Sequence, residues 1–228
     1  MKEAVDLRRR ATEPELLDTG VEREEALRSL ADLRAVNGWL GCRRSLLGAV
    51  RPLLRGVARP RLLDVGCGSA DLSEFLLRAL PGSPLAVGMD AKRLHVEQAG
   101  PGVLRVVADA RRLPFPAGSF DVVTASLFLH HFHGPELVGL LGSLYALARR
   151  ALVVNDLRRG QLPYLFARAV FPRVLRSPVS VADGLVSIRR GFTPEELASA
   201  FREARIPGVR VRRAFPYRLL AVAARVPA

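Results

Sequence analysis

Cysteine, lysine, aromatic area and long apolar runs are all scarce in this chain, and each shortage narrows what it can be. Cys42 and Cys67 are its only cysteines, too few for a disulfide framework, which points to a reducing compartment. No stretch approaches the ~18 uninterrupted apolar residues of a membrane span. The opening run MKEAVDLRRR is charged and lacks the apolar segment of a secretory signal, so the expected location is the cytoplasm. Aromatic residues make up 6% of the chain, leaving few platforms on which bases could stack. The formal charge is +13, yet of the 35 cationic side chains only Lys2 and Lys92 are lysines. The arginines lie in scattered pairs such as Arg43-Arg44, Arg111-Arg112 and Arg212-Arg213 rather than in one tract. A solvated basic surface is therefore expected, and nucleic acid is a disfavoured partner. The 228 residues, 49% of them hydrophobic, suffice for one α/β domain with a sizeable core.

What is present is concentrated in LLDVGCGSADLS, Leu62–Ser73. An apolar strand stops at Asp64, a glycine-rich turn follows, and a helix opens near Ser69. Gly66 and Gly68 bring tolerance of positive φ and bare backbone, which a closely approaching ligand needs. The free N–H groups of the helix start point at the same place. A second apolar run, Leu85–Met89, ends in Asp90, and an acid at that strand tip hydrogen-bonds a ribose diol in doubly wound folds. A third run, Val103–Ala108, ends in Asp109-Ala110, and LPFPAGSFDVVTASLFLHHF follows over Leu113–Phe132. A dinucleotide site would want a small residue at 71, where this chain has Asp71.

These elements, in this order, resemble the class I S-adenosylmethionine-dependent methyltransferases, in particular the small-molecule branch (the type 11/25 group) that includes the ubiquinone and menaquinone biosynthesis enzymes. The specific motifs cover about residues 60 to 156. The resemblance implies a Rossmann-like, doubly wound, seven-stranded α/β sheet, mostly parallel with a C-terminal antiparallel hairpin. It also implies S-adenosyl-L-methionine as cofactor and a division of roles. Asp64 and the backbone of Gly66, Cys67 and Gly68 would face its methionine part. Asp90, with Ala91 beside it, would take the ribose hydroxyls. Asp109 would accept from the adenine amino group next to the Ala110 N–H, and Ser126 and Leu127 would border the sulfonium. One departure is Ala70, which stands where the fuller motif has a third glycine.

Strands are expected near 61–65, 84–89, 103–108, 119–124 and 150–155, with helices near 70–80, 91–98 and 134–148 between them. TPEE at Thr193 reads as a capping box opening a helix that runs to about Arg205. Residues 1–58 read as an N-terminal helical cover preceding a methyltransferase domain over 59–228. Trp39 is expected in the core at a break in that cover. The segment 158–190, apolar and aromatic from Leu162 to Val174, reads as a lid over the acceptor. Its interleaved arginines allow contact with a membrane surface, the less favoured of the two readings.

Methyl transfer from a sulfonium is an in-line displacement governed by alignment, and a hydroxyl acceptor also needs a base. LFLHHFHGPE places His130, His131 and His133 just past the fourth strand. In related O-methyltransferases a histidine here can serve as base with help from an acid after strand five, which makes His131 the first candidate, His130 the second and Asp156 the helper. A histidine pair in this position also occurs where it only packs and hydrogen-bonds. No metal is expected, because H-H-x-H lacks the i, i+4 helical spacing and no cysteine or carboxylate cluster accompanies it. The expected activity is methyl transfer to a small lipophilic acceptor, phenol-, quinone- or polyketide-like, with O-methylation favoured. The alternatives are C-methylation of a quinone-type ring, an RNA methyltransferase, and a cofactor-binding partner protein without turnover. The sequence sets no oligomeric state.

Overall fold

The computed structural model describes residues 5–225. The start of the charged opening run, Lys2 included, lies outside them. Along the central strands, adjacent side chains leave the sheet on opposite faces. Leu62 and Leu63 illustrate this. Leu62 packs with Ala86, Val122 and Val153 beneath α3 (Cys42–Leu53) and α4 (Asp71–Ala79). Leu63 packs with Val87, Val123 and Leu152 beneath α6 (Gly134–Leu147) and α9 (Pro194–Glu203). The two faces give two cores, and strands covered on both sides read as continuous apolar runs.

The seven strands are β1 (Arg61–Val65), β2 (Leu85–Asp90), β3 (Val103–Val107), β4 (Phe120–Ser126), β5 (Ala148–Leu157), β6 (Arg210–Ala214) and β7 (Arg218–Ala224). Their order across the sheet is β3-β2-β1-β4-β5-β7-β6. The first five run parallel, while β7 lies antiparallel between β5 and β6, which forms the expected C-terminal hairpin. The chain leaves β1 toward β2 on one side and returns to β4 on the other. The carboxyl ends of β1 and β4 therefore meet at the switch point, where doubly wound sheets place their ligands.

Two groups of helices stand over that edge. From the N-terminal side come α1 (Leu16–Thr19) and α2 (Arg23–Trp39). Between β5 and α9 come α7 (Gln161–Val174) and α8 (Pro178–Arg190). Polar seams join them. The Asp32 carboxylate of α2 accepts from Arg176 N and Ser177 N at 3.0 and 2.9 Å, so it caps the start of α8. Asp183 of α8 in turn accepts from Leu16 N and Leu17 N at 2.7 and 2.9 Å and holds the start of α1. The capping box at Thr193 forms as read.

Two local readings change. The helix after the glycine turn starts at Asp71, because Ala70 takes a left-handed conformation at φ +55° and extends the turn past Ser69. Trp39 is 58% exposed rather than core, since it falls outside the buried stripe of α2 that carries Leu30, Val36 and Asn37. No helix among the described residues is long and apolar enough to cross a membrane.

Candidate active site

A cavity of about 550 Å³ opens at the switch point, between the carboxyl ends of the strands and the helices above them. Its floor is the turn after β1. Gly66, Gly68 and Ala70 all have positive φ, +66°, +54° and +55°. A Cβ at Gly66 would lie 2.1 Å from the Phe128 ring, so only glycine fits there. Ala70 bears a methyl group in a conformation that costs a non-glycine residue about 1–2 kcal/mol. Asp64, buried at the end of β1, accepts from Thr124 Oγ1 at 2.7 Å and Ser73 Oγ at 2.9 Å. Burial pushes its carboxyl up to about 6 despite those two hydrogen bonds.

Asp90, at the tip of β2, ties the floor to its neighbour. Its Oδ2 accepts from Gly68 N at 3.0 Å, and its Oδ1 accepts from Lys92 N at 2.9 Å and lies 3.3 Å from His95 Nδ1. Burial would raise this carboxyl, but His95 and the two backbone donors hold it below the usual range. Asp109 also lines the cavity, with Oδ1 accepting from Arg111 N at 2.9 Å. Ala91, Ala110, Cys67, Ser126 and Leu127 line it as well. The Ser126 hydroxyl is buried without a hydrogen-bond partner, and Leu127 turns the chain past β4 at φ +54°. Every residue expected to face the cofactor therefore borders one cavity.

The histidines occupy its wall differently from one another. His130 is fully buried and bracketed by two carboxylates. Its Nδ1 lies 2.7 Å from Asp156 Oδ1, its Nε2 3.1 Å from Glu15 Oε1, and its backbone N–H donates to Asp156 Oδ2 at 3.2 Å. Burial alone would depress its pKa. Asp156 and Glu15 outweigh that and raise it to about 9, so His130 is an imidazolium at neutral pH. His131 is the more open ring, stacked 4.4 Å from that of His130. Its Nδ1 lies 2.9 Å from Asp18 Oδ2, and its Nε2 faces Glu15 Oε1 across 3.9 Å, beyond hydrogen-bond reach. Burial raises the Asp18 carboxyl, but His131 and then Lys92 bring it down to about 2. Asp156, expected to assist His131, instead pairs with His130, while His133 turns away to Ala11 O at 3.1 Å. Leu129 is core, whereas Phe132 reaches the cavity.

No sequence spacing announces Glu15 and Asp18 at this wall. They arrive from a segment more than 100 positions away, and α1 has no periodicity to announce it. Glu15, His130 and His131 each bring one potential ligand atom within 4.8 Å of the others, a juxtaposition invisible in H-H-x-H. Lys92 Nζ closes the same corner on Leu17 O and lies 3.5 Å from Asp18 Oδ1.

Residues 62–151 match the methyltransferase domain family. Over 168 residues the chain is 30% identical to the ubiquinone biosynthesis O-methyltransferase of Bordetella parapertussis, covering 69% of this chain and 66% of that protein. It is 37% identical over 95 residues to the demethylmenaquinone methyltransferase of Thermus thermophilus, covering 39% of this chain and 42% of that one. The matched region thus spans just under two thirds of the first relative and less than half of the second. Among solved structures, human N-acetylserotonin methyltransferase in complex with S-adenosylmethionine superposes with a TM-score of 0.67 at 18% identity, over 92% of this chain and 59% of that one. The plantazolicin methyltransferase BpumL, in complex with S-adenosylhomocysteine, gives 0.64 at 14% identity over 92% and 98%.

The region over residues 62–151 is a methyltransferase domain, and beyond it the chain is similar to S-adenosylmethionine-dependent methyltransferases.

The cavity offers a donor set that suits S-adenosylmethionine. The open backbone of Gly66 and Gly68 admits a ligand where a side chain would block it. Acids stand at the tips of β2 and β3, and the unpartnered Ser126 hydroxyl lies at the tip of β4. S-adenosylmethionine is thus a group these residues can hold.

Proposed function

We propose that this methyltransferase transfers a methyl group to the hydroxyl of a small lipophilic acceptor, phenol-, quinone- or polyketide-like, with His131 as the general base. The observation that carries this reading is the pairing of His131 Nδ1 with Asp18 at 2.9 Å while Nε2 is left without a hydrogen bond on the cavity wall. A carboxylate on Nδ1 fixes the tautomer whose Nε2 carries the lone pair, which is the form a base needs. His130, already protonated between Asp156 and Glu15, supports the ring stacked on it and positions the wall.

Bound over the Gly66–Gly68 turn, S-adenosylmethionine would supply an electrophilic methyl group. Asp90 would accept from the ribose hydroxyls, Asp109 and the Ala110 N–H would meet the adenine edge, and Ser126 and Leu127 would border the sulfur. Asp64 would complete the methionine side with the backbone of Gly66, Cys67 and Gly68. The acceptor would lie between His131 and the apolar wall of α7 and α8, which act as a lid with α1 and α2. The O-methyltransferase relative supports oxygen as the acceptor atom. A second reading, transfer to a quinone-type ring, draws on the 37% identity to the Thermus demethylmenaquinone methyltransferase.

The test is a transfer assay with methyl-labelled S-adenosylmethionine and a lysate of the source organism, split into organic-extractable, nucleic-acid and protein fractions. Label in the organic fraction, lost in His131→Ala by a factor of about 10² or more, is the expected result. Label in the nucleic-acid fraction would overturn the small-molecule reading. Full turnover in His131→Ala would end the assignment of the base.

A further inference from the structure

Arg218 opens β7, opposite Leu157 of β5 and Ala214 of β6. It is 2% exposed and stands first among the fully buried side chains by volume. Its Nη1 is buried with no hydrogen-bond partner, and among the described residues its guanidinium meets no carboxylate. Other buried guanidinium groups in this chain are provided for. Arg159 grips both oxygens of Glu196, and Arg190 donates to the carbonyls of Glu13, His130 and His131. A buried, unpaired cation costs several kcal/mol, so Arg218 is the exception that calls for an anion.

Arg218 lines the cavity together with its strand partner Leu157, the preceding Tyr217 and the apolar residues Pro163, Phe166 and Phe171 of α7. This arm lies three strand spacings from the β1 turn, roughly 14 Å at about 4.8 Å each, and hence away from the cofactor floor. We infer that Arg218 is a specificity-determining residue that receives an oxyanion on the acceptor, so that the acceptor class is an aromatic or unsaturated acid: an apolar body against α7 and a carboxylate or ionised phenol on the guanidinium. A planar guanidinium accepts such a group through two parallel hydrogen bonds, and seclusion from water strengthens both. The inference rests on the reading of this cavity as an acceptor site and narrows the acceptor it takes.

The experiment titrates the protein, preloaded with saturating S-adenosylhomocysteine, with 3,4-dihydroxybenzoate, 4-nitrocatechol and the neutral 3,4-dihydroxybenzamide, by calorimetry. The expected result is at least tenfold tighter binding of one or both acids than of the amide. Preference for the benzoate alone assigns a carboxylate, and for the nitrocatechol alone an ionised phenol. In Arg218→Met the preference should vanish, in Arg218→Lys it should survive in part, and S-adenosylhomocysteine affinity should stay within twofold in both. Equal binding of acids and amide, failure of every probe to bind, or a preference that persists in Arg218→Met would overturn the inference. A fall in S-adenosylhomocysteine affinity in Arg218→Met would also overturn it, by giving the guanidinium to the cofactor's own carboxylate. Failure of the unaltered protein to bind S-adenosylhomocysteine would instead overturn the cofactor site itself.

Discussion

Asp156 Oδ1 lies 2.7 Å from His130 Nδ1, and neither side chain reaches solvent. With Glu15 on the other ring nitrogen, this holds a charged imidazole inside the protein with its pKa raised to about 9. A group whose pKa is higher folded than unfolded lends its full stabilisation below the unfolded value of about 6.5 and loses it as pH rises through the folded one. Stability should therefore fall by an amount of order 3 kcal/mol between pH 6.5 and pH 9.5. Urea midpoints across that range check it, and a flat profile would mean that His130 is neutral in the fold.

Asp156→Asn should remove most of that pH dependence and lower stability even at pH 7. Taking one partner from a buried ion pair leaves the other uncompensated, at a cost of about 3–5 kcal/mol. Chemical denaturation at pH 6, 7 and 9 separates the two effects. A variant as stable as the parent at pH 7 would show that Glu15 alone satisfies the ring.

Gly66 and Gly68 share a left-handed backbone but differ in surroundings. A Cβ on Gly68 would find Leu30 Cδ2 at 3.8 Å, an ordinary contact, whereas one on Gly66 would strike the Phe128 ring at 2.1 Å. Gly68→Ala should lose only the backbone component, about 1–2 kcal/mol. Gly66→Ala should lose more and also displace Phe128 from the cavity wall. Melting temperatures and S-adenosylhomocysteine affinities of the pair, compared side by side, decide it.

Asp90→Ala should weaken S-adenosylmethionine binding at least tenfold, or about 1.4 kcal/mol, because a carboxylate receiving a diol makes charge-assisted hydrogen bonds. The same change frees Gly68 N and Lys92 N. Asp90→Asn keeps an acceptor for the backbone and should fall between the two. Calorimetric affinity unchanged in Asp90→Ala would remove this residue from the cofactor site.

The floor of the site was legible in the sequence because it is local. A strand, an acid, two glycines and a helix follow one another within Leu62–Ser73, and turn chemistry decides where backbone is bare. The strand tips at Asp90 and Asp109 were legible for the same reason. The wall was not. Which acid meets which histidine depends on how residues 13–19 cross over β4 and β5, and no spacing in LFLHHFHGPE encodes the arrival of Glu15 or Asp18. The pattern of related O-methyltransferases, an acid after strand five assisting the histidine, suggested Asp156 for His131, but the short helical turn at Leu129–His131 aims His130 at the sheet and His131 at the cavity. Arg218 could not be singled out among so many arginines until its burial and lack of a partner were seen.

Lys92 is the one lysine among the described residues, and it stands on the wall of the cavity beside Asp18. Arginine does not react with amine-acylating reagents, so Lys92 is the one basic side chain of the described residues that they can label. A single labelled side chain there would be a reporter seated where ligand arrives. Its acylation rate, read by mass spectrometry with and without bound ligand, would make the pocket's occupancy a chemical observable that needs no knowledge of the acceptor.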